Sequence, residues 1–131
     1  MLARGALVSG ADYVQAQRVR RVAQRQLLAL FGDVDAIVMP TSAVGAFRYD
    51  DGVMLDIERL FKLVFTSYWD AIGAPALVVP MGFTEGGLPL SLQVAGRAFE
   101  ESTVLNVGYA YQQVTAWHTA LPPLVQEPVT V

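Results

Sequence analysis

One unbroken run constrains this chain more than any other: Phe65 to Glu101, FTSYWDAIGAPALVVPMGFTEGGLPLSLQVAGRAFEE. A helix end, a Gly-Ala-Pro stop, an apolar strand, a Gly-Gly turn, a second strand and a new helix start follow in strict order. Gly73 can close a helix in the left-handed conformation, and Pro75 prevents the helix from resuming. Ala76 to Pro80 then reads as a strand buried on both faces, extending to about Phe83. Glu85-Gly86-Gly87 supplies the positive φ of a tight reversal. Leu88 to Ala95 returns antiparallel to it. Glu100 and Glu101 favour a helix N-terminus through its dipole.

The flanking segments extend this order. Ser9 with Asp12 three residues on reads as a helix N-cap. The helix runs to about Phe31, with Ala16, Val19, Ala23, Leu27 and Leu30 as its apolar stripe and Gly32 as its stop. Ala36 to Pro40 is a short apolar strand, suited to the centre of a layered sheet. Thr41 to Gly52 is a loop. Asp56 caps a second helix in which Ile57, Leu60, Phe61, Val64, Phe65 and Tyr68 share a face up to Gly73. Val104, Val107, Tyr111, Val114 and Trp117 form the buried stripe of a third helix. Residues 122–131, opened by Pro122-Pro123, read as a tail. The predicted fold is α/β, an incomplete layered α/β/α arrangement in the order α-β-α-β-β-α. The strand-helix-strand crossover should leave its two strands parallel, and the hairpin adds an antiparallel one, so the sheet should be mixed.

Composition sharpens this. The 131 residues are enough for one domain, yet only 16% are charged, against roughly 25% in typical domains. Mean hydropathy is +0.39. A chain this small has much surface to cover and should be more polar than average. The excess implies either an obligate interface or a piece of a larger protein whose remainder covers the apolar faces. With no Cys and one His, neither a disulfide framework nor a zinc centre is expected, and no motif calls for a cofactor. No apolar run reaches the 18 or so residues needed to span a bilayer. The start, MLARGALVSG, lacks the apolar length and cleavage site of a secretory signal, which makes the cytoplasm the expected location. Residues 1–31 carry +4 and the remainder −7. Arg18, Arg20, Arg21 and Arg25 lie on the first helix without interleaved aromatics, so they read as a solvated face and not as a nucleic-acid surface.

Nucleophilic hydrolysis needs a nucleophile, a base and an oxyanion hole, and the candidates are few. Lys62, the only lysine, reads as a surface side chain lying along its helix. His118 follows Trp117 at a helix end, where a cationic ring meets the helix dipole. Thr41 and Ser42 follow the carboxyl end of a strand, where sites in open α/β sheets gather, but no Gly-x-Ser-x-Gly elbow surrounds them. Asp50-Asp51, Asp33 and Asp35 read as solvated turn acids. Trp69 and Asp70 end the strong second helix, where a bulky aromatic can wall a pocket. No phosphate loop, dinucleotide fingerprint or metal-ligand spacing appears.

The second half resembles the C-terminal region of amidase signature enzymes. In those proteins a helix ends in a phrase close to Thr-x-x-Phe-Asn-x-x-Gly-x-Pro-Ala, answered here by Thr66, Trp69, Asp70, Gly73, Pro75 and Ala76. A Val-Pro-x-Gly phrase is matched by Val79, Pro80 and Gly82. Gly-Leu-Pro-x-Gly-x-Gln is matched by Gly87, Leu88, Pro89 and Gln93. Gly96, Arg97 and Glu101 match a Gly-Arg phrase and the acid of the next helix. Upstream, Asp12-Tyr13 with Ala16 and Arg20, and Asp35 with Pro40-Thr41, resemble two further phrases. The likeness covers about residues 5–117. Two departures stand out. Asp70 replaces the family's Asn, and Ser91 replaces a Gly, putting a side chain where backbones pack closely.

The resemblance implies hydrolysis or transfer at amide bonds by a Ser–cis-Ser–Lys triad beside a Gly/Ser-rich stretch. Neither that stretch nor the triad context is in this sequence. Residues 1–121 are therefore expected to be the C-terminal portion of such a domain, supplying scaffold and part of a substrate pocket built from Thr41, Ser42, Trp69 and Asp70. Catalytic residues are expected elsewhere, so the chain alone should be inactive and should meet an amide substrate only together with the missing N-terminal half. Two alternatives stay open. One is an interaction module that pairs with a triad-bearing chain or with itself through exposed apolar faces. The other is a ligand-binding remnant that kept the pocket and lost the chemistry.

Overall fold

The Ser9 hydroxyl accepts the Asp12 backbone N–H at 3.1 Å, and the Asp12 carboxylate accepts the Ser9 N–H at 3.3 Å. This reciprocal capping box fixes the start of the first helix, α1, at Gly10–Leu30. The Ser9 side-chain bond first, then its backbone bond, hold the Asp12 carboxyl below its ordinary pKa. The computed structural model describes residues 5–48, 50, 52 and 56–122. The expected tail from residue 123 onward, and Asp51, lie outside them.

Strand β1 is Ile37–Pro40, β2 is Ala76–Phe83 and β3 is Pro89–Ala95. Their order is β1-β3-β2. The α/β class is as expected, but both ladders are antiparallel, so the expected mixed pairing is corrected. β1 and β2 do run the same way; β3, the return arm of the hairpin, inserts between them. The reversal works as its glycines imply. Thr84 N–H bonds Leu88 C=O at 2.8 Å, and Gly87 takes φ 77.

Directly paired residues share a face of a sheet. Ile37, Met39, Gln93 and Ala95 lie on one face, and Leu77, Val79, Leu92 and Val94 on the other. On the first face Trp69, Ile72 and Ala95 form the core, with Ala23 and Leu27 of α1 packed against it. On the second lies helix α4, Glu101–Gln113. Its Gly108 approaches so closely that an added Cβ would stand 2.2 Å from Leu77 Cδ2. The result is three layers, each incomplete. Val38 on the α4 face is 50% exposed, and Val78 on the α1 face is 51% exposed. The sequence places β1 at the centre of the sheet; it is an edge strand, and Val38 faces open space. The α1 stripe likewise stays open at Val19 and Leu30.

The second helix is two helices, α2 at Ile57–Leu63 and α3 at Ser67–Ile72. Between them Val64 is extended, at φ −106 and ψ 139, and bridges Ser42. The periodicity from Ile57 to Tyr68 spans this break because it reads side chains alone. Backbone pairing decides otherwise: Phe65 N–H bonds Thr41 C=O and Ala43 N–H bonds Leu63 C=O, each at 2.8 Å. Gln93, 1% exposed, holds the junction by donating its side-chain amide to Pro40 C=O at 3.3 Å and Phe65 C=O at 3.4 Å. The final helix also ends early, at Gln113. Val114 is exposed, and Trp117 sits in a 3-10 turn, Trp117–Thr119, with its ring edge-on to Phe83.

Arg97 ties the layers together. Its guanidinium donates to Phe31 C=O from Nε at 3.1 Å and again from Nη2, and to Val34 C=O at 3.3 Å. It also meets Glu100 at 3.3 Å and Asp35 at 3.6 Å. The carbonyls at the C-terminal end of α1 thus receive a charged partner from the end of β3.

The proline positions follow from the ladder phase. Thr41 N–H bonds Ser91 C=O at 3.1 Å, so alternate positions Val38 and Pro40 turn their amide sites away from β3. Gly96 N–H bonds Pro75 C=O at 3.1 Å, which turns Pro80 to the free edge of β2 in the same way. Neither proline removes a ladder bond.

Candidate functional site

Thr41 and Ser42 leave the carboxyl end of β1 and enter a cavity of about 380 Å³. Ser91 of β3, Thr66 from the α2–α3 break, Phe47 and Leu90 complete its principal walls. The break places this wall: pairing of Val64 with Ser42 draws the start of α3 against the end of β1. Thr41 Oγ1 and Ser91 Oγ are 2.5 Å apart, and Ser42 Oγ donates to Val44 C=O. Polar groups thus converge at one end of an otherwise apolar hollow.

Among the described lining residues none is an acid, a lysine or a histidine. Hydroxyls without a neighbouring base are hydrogen-bonding groups and not activated nucleophiles. The arrangement can orient a polar group; among the described residues it holds no pair for acid–base work.

The four residues singled out from sequence are divided between two hollows. Thr41 and Ser42 share the cavity. Trp69 lines a neighbouring apolar groove of about 470 Å³ with Leu27, Met39 and Phe61, and Val64 belongs to both. Trp69 is buried edge-on to Tyr68, with ring centroids 5.3 Å apart, and its indole N–H has no acceptor among the described residues. Asp70 is exposed and lines neither hollow. Lys62, Asp33 and His118 are exposed. Asp50 pairs with Arg48 at 3.0 Å, and that bond, then its own backbone, holds its carboxyl below the ordinary value. Sequence reasoning names Ser91 only as a departure able to alter a pocket and passes over Thr66 as a lining residue; both line the cavity. Ser91 does carry a signal, a hydroxyl where the resemblance expects glycine.

The family model described as Amidase matches residues 1–105. The chain is 43% identical over 128 residues to a Glutamyl-tRNA(Gln) amidotransferase subunit of Chloroflexus aurantiacus, covering 95% of this chain and 26% of that protein. Among solved structures, the corresponding amidotransferase subunit of Thermotoga maritima is similar at 33% identity, with TM-score 0.57 over 72% of this chain and 20% of that one. A 6-aminohexanoate cyclic dimer hydrolase shares the fold, with TM-score 0.75 at 18% identity over 95% of this chain and 28% of that one. The chain spans about a quarter of the length of the curated relatives it matches. No helix among the described residues is long and apolar enough to cross a membrane.

Proposed function

The chain belongs to the amidase family, and from that premise we propose that residues 1–121 act as the C-terminal portion of an amidase-signature domain working on carbon–nitrogen amide bonds. It supplies sheet, helices and one wall of the substrate pocket; the nucleophile, its relay and the oxyanion donors come from the rest of the domain. The observation that carries this reading is a match over 95% of the chain that fills only 26% of the relative. Hydroxyl-lined walls without a base support the same division of labour.

In this reading Thr41 and Ser42 hydrogen-bond the polar end of the amide substrate. Phe47 and Leu90 shield the reacting carbonyl from water, which strengthens the electrostatic stabilisation supplied by the other portion. Trp69 lines the groove behind this wall, and the exposed Asp70 beside it meets a pocket only once the rest of the domain is in place. We place the protein in the cytoplasm.

The bare half-faces at Val38 and Val78 favour a second form of the same reading, in which a separate triad-bearing chain completes the domain. The relatives are named as subunits of an amidotransferase, which fits a partnered protein.

The test is direct. The purified chain should leave simple amides and anilides unhydrolysed against a blank, and should bind an apolar fluorescent dye through its open faces. Measurable amide hydrolysis by the chain alone overturns the reading. So does a monomer with little dye-accessible apolar surface.

A further inference from the structure

Phe99 combines two features that the rest of the described fold does not use. Its backbone lies at φ 66, and it is the sole non-glycine residue at positive φ among those described. Its side chain is 94% exposed. A bulky residue at positive φ is an outlier that persists where surrounding structure dictates it. Here the dictation is local. Arg97 is clamped to the end of α1, Glu100 N–H bonds Arg97 C=O at 3.0 Å, and α4 must begin at Glu101. Glycine makes such a turn without strain. This chain holds an aromatic there instead and directs it away from its own core.

Aromatic residues, Phe among them, are enriched in the cores of protein interfaces relative to the rest of the surface. Leu28, also exposed, and Ala98 line a hollow of about 170 Å³ beside this turn. We propose that Phe99 is the anchor by which this chain docks onto the remainder of an amidase domain, inserting into an apolar pocket of that partner. This rests on the reading of the chain as a C-terminal portion. The occupant is the other part of the fold and not a second copy: the chain fills only 26% of the relative it matches, so most of what such a fold sets against this turn lies outside it.

The experiment compares Phe99→Gly and Phe99→Ala in two full chains. One is this chain. The other is the Chloroflexus aurantiacus amidotransferase subunit with the segment that this chain matches replaced by this chain. Alone, Phe99→Gly should hold or raise the melting temperature, because strain is relieved and no described packing is lost. In the chimaera both variants should lower it by about 2–4 °C. Equal stabilisation of both chains by Phe99→Gly overturns the anchor while leaving the family reading intact. A dimer of the isolated chain that Phe99→Gly dissolves, seen by light scattering, assigns the anchor to a second copy and also overturns it. A chimaera that does not fold while its parent does removes the C-terminal-portion reading, and this inference with it.

Discussion

The hydroxyls of Thr41 and Ser91 lie 2.5 Å apart across a ladder position already joined by Thr41 N–H and Ser91 C=O at 3.1 Å. The pair sits on the wall of the 380 Å³ cavity. A glycine at position 91 has no such hydroxyl, so the polar end of this hollow depends on the serine this chain carries. The sequence leads one to expect crowding at Ser91; instead its side chain meets the Thr41 hydroxyl.

Ser91→Gly should therefore lower unfolding stability by about 1 kcal/mol, from one lost hydrogen bond and one glycine inside a strand. A double-mutant cycle with Thr41→Val should show coupling of roughly 0.5–1.5 kcal/mol. Strict additivity in urea unfolding would show that the two hydroxyls act independently.

Two glycines should respond unequally to alanine. A Cβ at Gly96 stands 2.6 Å from Val104 Cγ2, and Val104 is buried with a χ1 its helix restricts. Gly96→Ala should destabilise by about 1–3 kcal/mol. At Gly108 the obstacle is the flexible end of Leu77, and alanine gains about 1 kcal/mol of helix propensity. Gly108→Ala should thus cost clearly less than Gly96→Ala in chemical denaturation; the reverse order contradicts the packing described.

Arg97→Ala should cost about 2–3 kcal/mol, since it leaves the Phe31 and Val34 carbonyls without their charged partner. Arg97→Lys should recover less than half of that. A lysine head cannot reproduce a planar fork, nor the stacking of the guanidinium 5.9 Å from the Phe31 ring centroid. Full rescue by lysine would show that charge alone matters at this position.

The capping box predicts a pH dependence of definite sign. The Asp12 carboxyl is held below its ordinary value of 3.8 by Ser9, so its contribution is present above the unfolded pKa and lost as pH falls through the folded one. Asp12→Asn should melt below the parent chain at pH 7. The difference should shrink as pH drops below 3.8. A gap that widens in acid would reverse the assignment. Because Asp12 is fully exposed, added salt should narrow the gap at neutral pH.

Much of the fold was legible because local chemistry dictated it. Ser9 with Asp12, Gly73 before Pro75, and Gly87 in the hairpin each specify a backbone state, and each takes it. The break at Val64 was not legible, because the forces that make it come from residues some twenty to thirty positions away. Gln93 and Thr41 claim Phe65's backbone groups, and a side-chain stripe carries no record of that. The edge position of β1 was hidden for a similar reason. An apolar strand reads as central whether or not anything covers it, and the described residues leave Val38 half bare. At the site, Thr41 and Ser42 could be found from their place after a strand. The division between cavity and groove could not, since it depends on which side of Val64 each wall falls.

Pro40 and Pro80 stand at the outward slots of the two free edges. An incoming strand on either side would meet a position without a donor within a few residues. With so much uncovered apolar surface, this polypeptide ought to be sticky, and the prolines decide how. Contacts through its faces can form and dissolve, but neither rim offers a long template for adding one molecule after another. Concentrated samples should therefore yield discrete or amorphous assemblies and not thioflavin-positive fibres, and a chain of this kind can wait for its partner without seeding cross-β growth.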